Sequence, residues 1–442
     1  MSDDVDPSRR ALLVKLGLAA AVVACPEAAL AQKKRRRRRS GRTTSRRRAA
    51  APPKKVIDLP DWSYGANSAS DETVLMFRGN GAHTFYGTGP LPDKAPEIVW
   101  RYRTASMKRR TYGGKFKYWS GMGWTGSAVK VGDYVFVGSV GGYVYALHAM
   151  TGELQWRYRA PGMFKSSVCA FENRLYIGNT DNRLHCIDAE SGGGLWTRNT
   201  GQDVDSSPCV VDGRLYVAGE SGFVRCLDPK SGREIWKQFV GGTKGRSHAS
   251  HKGAESSPAV VDGEIYITTY AGQLVALDQK SGRVRWRART FDDTDASPVV
   301  SNDLVFAAAE ESAPYVYAFD RETGKQVWRY GQKARGFYST PAVVGDRLYI
   351  GAENNRMHCV DAKSGEGVWE FRTKSNIWSS PCVVEDKVVF GCRDYHVYCV
   401  DAKSGSEIWK VKLDGRILAS PCIVDGKIWI GTATGYFYLL SA

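Results

Sequence analysis

From Pro96 onward a tryptophan returns at near-constant spacing: Trp100, Trp156, Trp196, Trp236, Trp286, Trp328, Trp369 and Trp409. Most intervals are 40 to 42 residues, and the two longer ones, 56 and 50, carry insertions. Each interval holds several short segments rich in β-branched and aromatic residues, separated by turn residues. A period near 40 built from short strands is the signature of a β-propeller, in which each repeat is one sheet that buries its faces only against its neighbours.

Residues 206–236, "SSPCVVDGRLYVAGESGFVRCLDPKSGREIW", show one repeat in full. "SSPCVV" reads as an inner strand, small and polar at its start. "RLYVAG" and "FVRCLD" follow, and the last strand carries the tryptophan. Asp212-Gly213, Asp262-Gly263 and Asp425-Gly426 predict tight hairpins with positive φ. A Ser/Thr-Gly pair ends the next turn at Gly152, Gly192, Gly232, Gly282, Gly324, Gly365 and Gly405, each four residues before a tryptophan. Asp188, Asp228, Asp278, Asp320, Asp361 and Asp401 stand eight residues before theirs, where a carboxylate accepts backbone N–H groups across the turn.

The copies are out of phase with the chain. Eight inner strands begin near Ser127, Ser167, Ser207, Ser257, Ser297, Thr340, Ser380 and Ser420, but "EIVWRYR" precedes all of them and the last copy ends without a tryptophan strand. The expectation is an all-β, eight-bladed propeller of four-stranded antiparallel blades, in which 97–103 completes the final blade and leaves no open edge.

The recurring D-x-x-S/T-G-x-x-x-W resembles the tryptophan-docking motif of pyrroloquinoline-quinone (PQQ)-type eight-bladed propellers, most closely their compact, non-enzymatic BamB-like branch. The lead-in "MFRGNGAHTFYGTGPLPDKAPEIVWRYRT" (76–104) is similar to the entry segment of bacterial PQQ-like repeat proteins. The resemblance covers about 97–442 and implies that all eight tryptophans pack between neighbouring blades. For function the resemblance is less specific, since fold alone does not fix function; it implies a protein-binding scaffold, assistance in outer-membrane protein assembly being one version. Catalytic members hold the quinone over Ca²⁺ beside a vicinal Cys-Cys disulfide. This chain has no Cys-Cys pair and no Cys-x-x-Cys-His haem site. No cofactor is expected, and a PQQ- and Ca²⁺-dependent dehydrogenase is the alternative.

Just before the inner-strand hydroxyl pairs stand Lys165, Asp205, Glu255, Asp295, Tyr338, Trp378 and Leu418, which should ring the mouth of the central channel. Asp205, Glu255 and Asp295 on adjacent blades form a candidate hard-oxygen site for Ca²⁺, with a solvated acidic rim as the alternative. The insertions 104–124 and 241–255 follow tryptophan strands and belong on the same face. The first carries Arg109, Arg110, Tyr112 and Trp119, and the second His248 and His251. With Lys165, Tyr338 and Trp378 these are the candidate partner-binding residues, because cationic and aromatic side chains suit a protein or anionic interface. His248 and His251 are spaced for a metal but lack a third ligand. Cysteines recur on inner strands (Cys169, Cys209, Cys382, Cys422) and third strands (Cys186, Cys226, Cys359, Cys399), with Cys392 apart. The regularity reads as buried packing. Cross-blade pairing such as Cys186 with Cys209 stays open.

Charge concentrates at the start of the chain. The total is +16, but residues 33–55 hold 13 Lys/Arg and no acid, which leaves about +4 for 56–442. The body need not bind polyanions, and nucleic acid is not the expected partner. Residues 1–31, with Arg9-Arg10 before an apolar run and Ala29-Leu30-Ala31 after it, resemble a twin-arginine export signal. Val22-Val23-Ala24-Cys25 also matches a lipidation site at Cys25. The expected organisation is signal (1–31), basic disordered arm and linker (32–60), lead-in (61–96) and propeller (97–442). The protein is expected in the periplasm or cell envelope as a monomeric propeller that binds envelope proteins, its arm facing anionic lipid or wall polymer.

Overall fold

A computed structural model of the chain describes residues 56–59, 73–110, 116–122, 126–242, 253–310, 312–331 and 334–442. Two compact units are distinguished: Met1–Pro53 with Arg109–Lys117, and Lys54–Lys108 with Tyr118–Ala442. The first has only Arg109, Arg110, Phe116 and Lys117 among the described residues, all of them strand residues. The second holds eight four-stranded antiparallel sheets and, among the described residues, no helix.

Blade three shows why the repeat folds as it does. Cys209–Val211, Arg214–Val217, Phe223–Leu227 and Glu234–Phe239 pair in sequence order. The first turn puts Asp212 at φ 49° and Gly213 at φ 66°, the conformation that a two-residue hairpin requires and Asp-Gly supplies. Asp228 Oδ1 accepts from the backbone N–H of Ser231 at 2.8 Å and from its hydroxyl at 2.7 Å. Those donors hold the Asp228 carboxyl below the usual carboxylate range. The same acceptor geometry recurs at Asp188, Asp278, Asp320, Asp361 and Asp401. The two middle strands are buried almost throughout, whereas the outer strand alternates. The core therefore lies between blades as a series of inter-blade clusters.

Two devices lock each blade to the next. Seven of the eight tryptophans lie across the turn glycine of the following blade. A Cβ on Gly232 would meet Trp196 Cε3 at 2.7 Å, and the same holds for Gly152, Gly192, Gly282, Gly324, Gly365 and Gly405 against Trp100, Trp156, Trp236, Trp286, Trp328 and Trp369. The indole N–H of Trp156 donates to Ala189 O at 2.9 Å, and that of Trp286 to Arg321 O at 3.0 Å. A docked indole buries roughly 150–250 Å², worth several kcal/mol at about 25 cal/mol per Å². Nearer the axis, a hydroxyl of each blade accepts the backbone N–H of the blade before it. The chain of bonds runs Ser127 to Ser167, Ser207, Ser257, Ser297, Thr340, Ser380 and Ser420, all at 2.9 to 3.1 Å. At about 1 kcal/mol each, such bonds matter mainly by satisfying backbone groups that no water reaches.

The docking glycines yield a matched test. Gly213 and Gly232 have φ of +66° and +67°, but a Cβ at Gly213 would meet nothing within 4 Å. Gly213→Ala should cost about 1 kcal/mol from the left-handed backbone alone. Gly232→Ala adds overpacking against Trp196 and should cost about 3 kcal/mol. Denaturant midpoints of the two variants check this, and equal losses would remove the docking role of Trp196.

The ring closes non-covalently. Glu97–Arg103 pairs antiparallel with Tyr436–Ser441, so this early strand is the outermost of the last blade. Trp100 then docks on blade one, donating to Ala149 O at 3.0 Å. In the last blade the outer strand is entered from the lead-in and not from a Ser-Gly corner, so Trp409 docks elsewhere. Its indole instead donates to Pro92 O in the lead-in at 2.8 Å.

The lead-in does more than arrive at this strand. Val74 exchanges backbone bonds with Lys130 at 2.9 and 3.0 Å, and Leu75 O accepts from Ala170 N at 2.7 Å. Met76 packs with Val210 and Val211. Gly81 O accepts from Val260 N at 2.7 Å, and Ala82 O from Val300 N at 3.1 Å. The Tyr86 hydroxyl accepts from Val343 N at 2.7 Å. Arg78 donates to Pro381 O, and Thr88 N to Ile423 O at 3.3 Å. These partners are the inner segments of all eight blades, at the end away from the mouth residues. The segment crosses the axis and floors the channel.

Candidate functional site

The mouth opposite that floor gathers two kinds of loop. Inner segments begin there, and antiparallel order brings the turns between second and third strands to the same face. Lys165 Nζ reaches Asp205 Oδ2 at 2.5 Å across a blade boundary. Asp205, Glu220 and Glu255 place one carboxylate oxygen each within 4.8 Å of the others. Two of these, Asp205 and Glu255, belong to the trio read from the sequence. Asp295, one blade further round, is not in the cluster, and Glu220 takes its place. Glu220 sits on the blade-three turn "GESG", bonded through its N–H to Asp203 O at 3.0 Å. The missed signal was topological: a Glu on a second-to-third-strand turn always lies at the mouth face.

Burial pushes the Glu220 carboxyl up to about 8, helped by the Glu255, Asp205 and Asp203 charges and by a hydrogen bond with Glu255. A protonated Glu220 bonded to ionised Glu255 is the arrangement such crowding favours. The same hard oxygens could hold a divalent cation, which would take the place of the shared proton.

The other side of the mouth is aromatic and cationic. Tyr338 stacks on Trp378 with centroids 5.0 Å apart at 30°. The Arg393 guanidinium lies 4.5 Å from the Trp378 ring centre. The Trp378 indole donates to Glu353 Oε1 at 2.9 Å, and Asn376 Nδ2 donates to the same oxygen at 3.2 Å. Glu353 and Arg393 again come from second-to-third-strand turns and were not singled out in the sequence. Tyr338 and Trp378 do come together, as their equivalent positions on adjacent blades predicted.

Of the insertion residues, Arg109 lies in the strand Met107–Arg110 and Trp119 in the strand Phe116–Trp119, both half-buried. Tyr118 is 67% exposed, with Lys108 Nζ 5.8 Å from its ring centre. Tyr112, His248, His251 and Cys25 lie outside the described residues, as does the side chain of Arg110. All nine body cysteines are buried and unbridged, Cys186 and Cys209 included. Burial pushes thiols such as Cys169 and Cys186 up to about 12, so they are poor nucleophiles and poor metal ligands.

The mouth is a poor match for a PQQ-type quinone. That cofactor is a flat polyanion, whereas the Trp378 ring already carries Tyr338 and Arg393, and the opposite wall is a cluster of carboxylates. The described thiols are all buried, and none is presented to the channel.

An eight-bladed propeller of four-stranded sheets, with tryptophans docked on the next blade's Ser/Thr-Gly turn, defines the class of protein. The family described as "Outer membrane protein assembly factor BamB" matches residues 94–330 and 312–398. The chain belongs to this family of PQQ-like repeat propellers. A curated relative, quinohemoprotein alcohol dehydrogenase of Comamonas testosteroni, is 30% identical over 89 residues, 18% of this chain and 12% of that protein. The match spans about an eighth of that relative's length. In solved structures, the C. testosteroni quinohemoprotein alcohol dehydrogenase superposes with TM-score 0.68 at 15% identity, over 85% of this chain and 81% of that one. BamB from Moraxella catarrhalis superposes with TM-score 0.54 at 18% identity, over 78% of this chain and all of its own. At these identities the structural likeness is one of fold, and it embraces a dehydrogenase and an assembly factor alike.

Proposed function

We propose that this protein is an exported, envelope-associated scaffold that receives a protein partner at the open mouth of the ring, in the manner of an assembly factor for outer-membrane proteins. The observation that carries this reading is the one-sided channel. Among the described residues, the lead-in floors one end, and the mouth at the other is divided into an acidic side (Asp205, Glu220, Glu255) and an aromatic–cationic side (Tyr338, Trp378, Arg393). Rigid aromatic and arginine anchors on a fixed platform are what protein interfaces concentrate their energy in. The poor fit to a quinone supports the same reading. The basic arm would hold the scaffold near anionic lipid or wall polymer.

Site-specific photo-cross-linking in native envelopes tests this. A cross-linker at residue 338 or 378 should yield adducts, and one at residue 213 on the opposite face should yield none. Trp378→Ala should reduce the adduct formed from residue 338 about tenfold, the cost of losing one anchor. Adducts confined to residue 213 would overturn the mouth as the binding face. The acidic trio keeps one second reading alive, a quinone-dependent dehydrogenase with Ca²⁺ at Asp205, Glu220 and Glu255. Dye reduction by the full chain supplied with PQQ and Ca²⁺ would establish it in place of the scaffold.

A further inference from the structure

The floor of the channel holds a buried charge with no counter-charge. Arg78 is 5% exposed. Its guanidinium donates to Pro381 O, to Thr340 O at 2.6 Å and to Pro341 O at 3.3 Å. Its flanks meet the rings of Tyr86 and Phe77, 5.0 and 5.8 Å from the centroids. The ionisable groups acting on it are the Cys382 thiol and the Tyr86 phenol, with no described carboxylate among them. Carbonyl dipoles and ring faces offset only part of the cost of burying a whole charge. One donor is also left over, because Arg78 Nε makes no hydrogen bond.

Arg78 is also among the residues that line a cavity of about 20 Å³, together with Ser127 and Ser420, room for one small particle. These two serines mark the seam of the ring. Elsewhere each inner hydroxyl accepts the backbone N–H of the preceding blade, but Ser420 N turns to Gly126 O at 3.3 Å. The Ser127 hydroxyl is thereby relieved of that role and contacts only Ser167 Oγ, at 3.2 Å, among described side chains. The residues around the cavity thus include a buried cation with an unpartnered N–H and two serines, a set that suits an anion better than a cation.

We propose that this cavity binds a single monovalent anion of chloride size, held by Arg78 Nε and the hydroxyls of Ser127 and Ser420. The anion neutralises the guanidinium and ties the lead-in to the seam between the last and first blades. This site is independent of the function proposed for the mouth.

Thermal unfolding of the full chain, exchanged into sodium gluconate and titrated with sodium chloride at constant ionic strength, tests the proposal. The midpoint should rise by about 2 °C per tenfold chloride above the dissociation constant. Ser127→Ala keeps every backbone link of the hydroxyl chain, its own N–H to Ser167 Oγ included, and loses only the Oγ–Oγ contact with Ser167, so it should fold, and should lose most of the chloride dependence. Crystals grown in bromide should show an anomalous peak within hydrogen-bond reach of Arg78 Nε. A midpoint indifferent to chloride, a bromide map with no peak there (an ordered water only), or full chloride dependence in Ser127→Ala would each overturn the site.

Discussion

Gly81→Ala should lower the thermal midpoint of the protein by about 3–8 °C, although Gly81 lies outside the repeats. A Cβ on Gly81 would sit 2.2 Å from Val260 O and 3.0 Å from Val211 Cγ2, so the backbone of the lead-in must move. The bond from Val260 N to Gly81 O is lost with it. Overpacking costs about 1–3 kcal/mol, and a stranded buried N–H about 1–3 kcal/mol more. Displacement would also expose the Arg78 anchor and remove Pro92 as the acceptor for Trp409. Hydrogen exchange should therefore accelerate first at Ala170, Val260 and Val300, whose amides bond the lead-in, and at the last blade. A wild-type midpoint and unchanged exchange in the variant would show that the segment does not floor the channel.

The stability of the wild type relative to Glu220→Gln should fall as pH rises from about 5 to 9, whereas His83, His185 and His358, whose imidazoles burial holds below their ordinary value, act alike in both proteins. Burial and neighbouring carboxylates raise Glu220 from its ordinary 4.5 to about 8. Across that window the folded state keeps a proton that the unfolded chain has released, so the folded state binds more protons and stability declines with pH. The contribution is whole below about pH 4.5 and is lost as pH passes through the folded value near 8. A tenfold change in acidity corresponds to about 1.4 kcal/mol, but Glu255 shares the proton and solvent screens part of the repulsion. The expected loss is about 2–3 kcal/mol. Glutamine keeps a donor toward Glu255 and cannot ionise. Urea midpoints of both proteins at pH 5, 7 and 9 check this, and a difference between them that stays level across the range would refute the crowding. Ca²⁺ that raised the wild-type midpoint at pH 8 but not the variant's would show that the trio also takes a cation.

The propeller was legible because its determinants are local. A Ser/Thr-Gly turn four residues before a tryptophan fixes where each outer strand starts, and Asp-Gly fixes the first hairpin. The mouth was half legible. Tyr338 and Trp378 were found because equivalent positions on adjacent blades must be neighbours. Glu220, Glu353 and Arg393 were missed because they reach the mouth from a different strand connection, and Asp295 was placed in a cluster it does not join. Arg78 was quoted as part of a family-like segment and given no role, since nothing within the lead-in shows that it is buried.

By itself the sequence determined the number of blades, their four-strand pattern and the docking of each tryptophan, because these depend on spacings of fewer than about ten residues repeated along the chain. Only the tertiary structure decided which loops meet. Glu220 and Glu255 lie on different blades, and Arg78 bonds carbonyls more than 260 residues away. Repeat spacing assigns each residue an angular position in the ring. The distance between two side chains then depends on which loop bends inward and on what fills the axis, and here the axis is filled by a segment from outside the repeats.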